Sequence, residues 1–254
     1  MHAKNRRAPP PPCPQKWALH PVDGARKASY YPSNMMIVPI FPLPNVVLFP
    51  KTMIPLHIFE ERYRTMTRDA LASDRLIVTA LLCEGWENEY EKSPAVHDIA
   101  CLGKIETYEE LEDGKYNLVL SGVQKVRVIR EIPHSPYRLA EVEHLKDAAC
   151  DEQSPEVIKR RNRMAGLFSR FAELASSSEK SRTADIVSQY TFETLVNTAA
   201  ATLNLPAQEK QGLLEIDDLT QRCDVLIPVL QQQLEILILV RRFEHIKPAD
   251  PSRN

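Results

Sequence analysis

Seven histidines, five cysteines and seven glycines are the side chains on which metal, thiol or phosphate chemistry would have to be built in this chain of 254 residues. Their spacing supports none of the three. His2, His20, His57, His97, His134, His144 and His245 form no HExxH pair and no Cys/His ligand set, so no metal is expected. Cys13, Cys83, Cys101, Cys150 and Cys223 are scattered, odd in number and without a CxxC pair. That pattern points to reduced thiols and a cytoplasmic setting. The glycines never cluster ahead of Lys-Ser or Lys-Thr, so no loop can cradle a nucleotide phosphate and no ATPase is expected. Glu60-Glu61 is a pair of carboxylates, but adjacent helical positions diverge by about 100°, which suits a solvated face better than acid–base work. His57 is read as a hydrogen-bonded structural residue. No catalytic residue and no cofactor are expected.

Two patterns point to binding instead. Lys159, Arg160, Arg161, Arg163 and Arg170 cluster in one helical stretch, and Lys125, Arg127 and Arg130 lie along a strand. Together they make a nucleic-acid module, working by phosphate contacts, the runner-up reading. Against it, the cluster lacks interleaved aromatics, acids dilute it, and the formal net charge is −2. The second pattern is the polar loop 84–97, where Trp86 and Tyr90 stand among acids. Such rings are candidate contact residues for a polypeptide, although the commoner arrangement folds them back onto the body of the protein.

The elements that position these residues follow from periodicity. Residues 37–64 carry short apolar runs between Pro39, Pro42, Pro44, Pro50 and Pro55, which suits short, bent strands of a small barrel, because proline cannot donate to a ladder. Phe59, Tyr63, Met66 and Ala70 then lay an apolar stripe along a helix. Leu76 to Leu82 reads as a strand buried on both faces. Ile99 to Leu111 and Lys115 to Val123 flank Glu112-Asp113-Gly114 and predict a hairpin. Beyond Cys150 the period becomes helical. A first helix starts at Ser154-Pro155, and the run Ser176 to Ser181 breaks it. Interrupted helix follows over Ile186 to Leu203, a short helix over Ala207 to Glu215, and a long one from Asp217 to about His245. Pro228 removes a donor from the last and predicts a kink near the Asp224 carbonyl. The apolar stretch Leu234 to Val240 is too short for a bilayer, which takes about 20 residues, and contains Glu235. Residues 1–34, rich in proline and basic residues, have too little apolar surface to order themselves. A start at Met35 or Met36 is the alternative to a translated leader.

The motifs FPLPNVVLFP and PLHIFEERYR, followed by Cys101 to Ile105, YNLVLSGVQKVRV, LNLPAQEKQGLLEIDDLTQRCDVL and LEILILVRRFE, resemble the Lon N-terminal domain. That domain is the substrate-recognition module at the front of Lon proteases and in stand-alone proteins. The resemblance implies an α+β fold, a PUA-like β-barrel followed by an α-helical bundle. The expected divisions are the leader 1–34, the barrel 35–148, the bundle 149–247 and a tail 248–254. It also implies a non-catalytic recognition protein, since the Lon serine–lysine peptidase dyad belongs to a separate domain that no segment here matches. The expected partners are unfolded or partly folded polypeptides, or a protease or chaperone to which the chain is an adaptor. No membrane is expected, and the last helix offers a seam that could close on a second copy. The expected site is a shallow apolar groove where barrel meets bundle, lined by Leu43, Pro44 and Phe49, with Trp86 or Tyr90 at its edge.

Overall fold

The computed structural model describes residues 35–87, 93–148, 150–175 and 187–243. The leader 1–34, Tyr90, the break at Ser176 to Ser181 and the tail 248–254 lie outside the described residues. The order is β1 (Met35–Leu43), β2 (Met53–Ile58), α1 (Glu61–Leu71), β3 (Leu76–Leu81), β4 (Ile99–Glu110), β5 (Tyr116–Ile132), β6 (Arg138–His144), α2 (Pro155–Ala175), α3 (Phe192–Thr202), α4 (Ala207–Glu215) and α5 (Leu219–Phe243). The chain divides into two units. One holds residues up to Lys146 together with Leu205–Glu215, the other Asp147–Asn204 and everything from Ile216 onward. The helix α4 thus belongs with the strands of the first unit.

In that unit the strands run β2-β5-β4-β3-β1-β6, and a further β5–β6 pairing closes the sheet. The expected barrel is therefore present, with only β1 and β3 parallel. Closure depends on β5, which is long enough to serve two partners in turn: residues 116–121 pair with β2 and residues 126–132 with β6. Between these segments Val123 is an extra residue opposite β4. An extra residue reverses which face the following side chains occupy. Tyr116, Leu118 and Leu120 accordingly point into one core, and Val126 and Val128, at positions of the same parity, into another. The second core draws on β1, β3, β4, β5 and β6 and fills the barrel. The first lies under α1, which inserts Tyr63, Met66 and Ala70, with the Tyr63 ring 4.6 Å from that of Phe41. Both faces of β1 and β3 are thus buried, which explains their continuous apolar runs. Phe59 is not part of the α1 stripe: it precedes the helix and is 59% exposed.

The Glu112–Gly114 turn forms as expected, Gly114 taking φ +74° and donating to the Leu111 carbonyl at 2.8 Å. Arg64 Nε donates to the Gly114 carbonyl at 2.7 Å, tying α1 to the hairpin tip. Gly122 is required by close approach: a Cβ there would run into the Phe49 carbonyl. Its own N–H and C=O pair with Thr52 O and Lys51 N, each at 2.8 Å. On β4, α4 is held by Gln211, which donates to the Ile99 carbonyl at 2.9 Å, and by Glu215, 3.3 Å from His97. Burial works to raise the Glu215 pKa, but hydrogen bonds from His97 and Gln211 outweigh it, and the carboxyl lies below its ordinary value.

The helical unit packs α2, α3 and α5. Ser154 and Thr191 cap α2 and α3, and Asp218 caps α5, its Oδ1 accepting from Thr220 N at 2.7 Å. Inside the unit lies a charge, Arg222, with no exposed surface. Its guanidinium donates to Asn197 Oδ1 at 2.6 Å, to Asp147 Oδ1 at 3.1 Å and to the Ile216 carbonyl. It thereby joins α3 to the two points where the chain enters this unit. The helix α5 runs unbroken through Pro228. Among the described residues it is the one helix long and apolar enough, by length and composition, to cross a membrane. The shorter stretch Leu234 to Val240 understates it, because Gln231, Gln232 and Gln233 ahead of it are polar without being charged. In the fold its buried side chains, Leu219, Cys223, Leu226, Ile227, Leu230 and Leu234, form the core of the helical unit.

Candidate functional site

The residues expected to line a site divide sharply. Phe49 has no exposed surface and Leu43 only 9%, so both are core residues that no partner could reach in the folded protein. Their apolar run is there because the loop 44–52 must cover the end of the α1 core. Pro44 is exposed. Trp86 is half-buried against the barrel core, the arrangement common for such rings.

The geometry offers a different place. A shallow groove of about 510 Å³ lies on the ribbon formed by β2, β5 and β4. By strand alternation its surface is made by Pro55 and His57 of β2, Asn117 and Val119 of β5, and Thr107 and Glu109 of β4. These form two rows across the ribbon. Pro55, Val119 and Thr107 give an apolar row. Glu109, Asn117 and His57 give a polar one: Asn117 Nδ2 donates to Glu109 Oε2 at 3.2 Å, and Asn117 Oδ1 lies 2.8 Å from His57 Nδ1. Since the amide nitrogen is committed to the carboxylate, the amide oxygen faces the imidazole and Nδ1 carries the proton. His57 is thus hydrogen-bonded, as expected, but on an exposed face. Its ring stacks on Phe59, centroids 6.2 Å apart, and Met53 stands beyond, 67% exposed.

The outer edge of β2 is unpaired among the described residues. The Gly122 N–H donates to the Thr52 carbonyl, so by the alternation of an antiparallel ladder Ile54, Leu56 and Ile58 bond inward to β5, and Met53, Pro55 and His57 face outward. The missing donor of Pro55 therefore falls on the open edge, where it does not weaken the sheet. The apolar β2 pattern was visible in the sequence, but which strand would be left at an edge was not.

The chemistry available elsewhere is slight. Burial pushes the Cys223 thiol up to about 12 and the Cys101 thiol higher still, so neither is a thiolate near neutral pH. Burial, helped by Glu152 and Asp218, raises Cys150 as well. Cys101, Cys150 and Cys223 are free. Among the described residues no three His, Cys, Asp or Glu side chains are placed to hold a metal. Three arginines of the basic cluster are committed internally, while Lys159 and Arg170 are exposed. Arg160 makes a forked pair with Asp224 at 3.0 and 3.1 Å, Arg161 donates to the carbonyls of Ser188 and Tyr190, and Arg163 donates to Gln231 Oε1. Lys125 is buried, and Arg130 pairs with Glu141.

Comparison with known proteins agrees with this fold. The family model of the ATP-dependent protease La (LON) substrate-binding domain matches residues 37–232. Lon protease 1 of Bdellovibrio bacteriovorus is 29% identical over 206 residues, 80% of this chain and 26% of that protein. Lon protease 2 of Myxococcus xanthus is 27% identical over 223 residues, 85% of this chain and 26% of its own length. The chain thus spans about a quarter of these curated relatives. Among solved structures, the N-terminal domain of Mycobacterium avium complex Lon protease superposes with a TM-score of 0.60 at 19% identity, covering 77% of this chain and 98% of that one. The Lon N-terminal domain protein of Xanthomonas campestris gives 0.57 at 24% identity, with 76% and 98% covered. These similarities, and the family match over most of its length, make this chain a member of the Lon substrate-binding domain family.

Proposed function

We propose that the protein is a non-catalytic recognition module that holds extended segments of unfolded or partly folded polypeptides in the groove of the β2–β5–β4 ribbon. The observation that carries this reading is the groove itself. Its apolar row is bordered by exposed Met53 and Phe59, next to a strand edge that can accept backbone hydrogen bonds. Membership of a substrate-binding family supports it. A shallow face with few polar anchors favours weak, tolerant contact, which suits many unfolded chains better than one folded ligand. An adaptor docking onto a protease or chaperone is a variant of the same reading. The nucleic-acid alternative is not favoured, because the guanidinium groups of Arg160, Arg161 and Arg163 already have partners within the helical unit.

The test is binding of reduced, carboxymethylated α-lactalbumin against its native form. The unfolded form should bind more tightly, and Val119→Asp and Phe59→Ser should each weaken it about tenfold, the equivalent of ~1.4 kcal/mol. Equal binding to both forms, or binding untouched by both substitutions, refutes the site. Hydrolysis of ATP or of a peptide by the purified chain refutes the non-catalytic reading. Recovery from lysate distinguishes the variants: one stoichiometric partner marks an adaptor, many substoichiometric ones a general binder.

A further inference from the structure

The ladder leaves β2 with one side of its backbone unused. Among the described residues no strand pairs with its outer edge. There Met53 and His57 each present an N–H and a C=O, and Pro55 a C=O alone. Successive outward groups lie two residues apart, about 7 Å, and another extended backbone repeats at the same interval. Sheet edges are commonly blunted by charged side chains or bulges, yet the β2 sequence MIPLHI carries no Lys, Arg, Asp or Glu. Both pleat faces are apolar at this edge. Ile54 and Leu56 pack on the α1 core but are only partly buried, and on the groove side Met53 and Pro55 are exposed. An added strand would cover Ile54 and Leu56 with one set of alternate side chains and Met53 and Pro55 with the other.

We propose that the β2 edge takes up one segment of an unfolded polypeptide by strand addition, and that it selects segments which form doubly buried strands in their own folds. Such segments are continuous runs rich in Val and Ile, because both faces of the added strand meet apolar neighbours. The proposal rests on the reading of the β2–β5–β4 groove as a polypeptide site, and adds to it the backbone contact and the class of segment. Pro55 decides what is turned away. Two copies joined antiparallel through this edge, in the register that uses all of β2, set Met53 opposite His57 and Pro55 opposite Pro55. Two carbonyls then face each other with no N–H between them, and a slip of two residues leaves an end of each strand unpaired. A foreign strand brings an N–H to the same place and satisfies the Pro55 carbonyl. Pro55 is thus a specificity-determining residue that opposes self-pairing and keeps an acceptor for another chain.

Amide hydrogen exchange of the full chain, followed by NMR with and without carboxymethylated α-lactalbumin, tests this with no substitution. The Met53 and His57 amides should slow about tenfold or more on binding, while Ile54, Leu56 and Ile58, already bonded to β5, change little. Met53→Pro and His57→Pro should each weaken binding about fivefold more than Met53→Ala and His57→Ala, because proline removes the outward N–H and spares the bonds to β5. The peptide acetyl-Lys-Thr-Val-Ile-Val-Thr-Lys-amide should compete about tenfold better than acetyl-Lys-Ala-Leu-Ala-Leu-Ala-Lys-amide. Binding that leaves the Met53 and His57 amides unprotected, or equal weakening by proline and alanine, overturns strand addition and leaves the groove reading standing. Equal competition by the two peptides overturns the choice of strand-forming segments. Protection of the same amides before any ligand is added also overturns the proposal, since the edge would then belong to this chain or to a second copy. Failure of the unfolded protein to bind at all ends both the proposal and the groove reading.

Discussion

Replacing Arg222 by methionine should unfold the helical unit at markedly lower denaturant. The substitution keeps much of the volume and removes a guanidinium that has no exposed surface. Three acceptors lose their donor: the Asn197 amide oxygen, the Asp147 carboxylate and the Ile216 carbonyl. Asn197 is fully buried and cannot turn to water, whereas the Asp147 side chain is 14% exposed and recovers part of its hydration. Arg222 Nε has no partner, so removing it returns some of the cost of burying the group. Breaking a buried ion pair from one side costs about 3–5 kcal/mol. The two offsets place this case near the lower end, about 3 kcal/mol. With an m value of about 1.5 kcal/mol/M, the urea midpoint should fall by ~2 M. Far-UV ellipticity reads the helices directly. A shift below about 0.5 M would show that the unit tolerates the loss of these three bonds and would refute the assignment of Arg222 as its central tie.

Two further substitutions test other links between sequence and fold. Gly122→Ala should destabilise the barrel by about 2–3 kcal/mol through collision with the Phe49 carbonyl. Gly166→Ala, in α2 with nothing within 4 Å of the added methyl, should gain up to about 1 kcal/mol; similar effects at the two sites would contradict the close approach. Asp218 is held below its ordinary value by hydrogen bonds from the Thr220 hydroxyl and amide. A depressed folded pKa gives stability that is present above the unfolded value and lost as the pH falls through the folded one. Asp218→Asn should therefore flatten the acid limb of the stability profile, and Asp218→Ala should cost about 1 kcal/mol at neutral pH. An unchanged acid limb in the asparagine variant would mean that the cap does not titrate there.

The barrel and the helices were legible because each is written in a local period. The alternation Tyr116, Leu118, Leu120 and the turn at Gly114 specify the hairpin, and the continuous run Leu76 to Leu82 specifies a strand with two buried faces. The site was less legible. Leu43 and Phe49 carry the family-like motif, yet an apolar side chain in a proline-punctuated run reads alike whether it lines a groove or closes a core. What separates the cases is closure, set by the extra residue Val123 and by β5 serving two partners, and no local pattern announces either. Arg222 did leave a trace: with Leu219, Cys223 and Leu226 it stands at i, i+3, i+4 and i+7, a charge inside an apolar stripe.

The return of residues 205–215 to the barrel unit governs how this protein can be dissected. A fragment cut after residue 148 would discard Gln211 and Glu215, stripping the Ile99 carbonyl and His97 of their partners at the start of β4. A separable barrel would instead need α4 supplied, by a short linker grafting Leu205–Glu215 behind residue 148 or as a peptide added in trans. Restoration of a soluble fragment by that added segment would make the two pieces a split reporter in which reassembly itself can be followed.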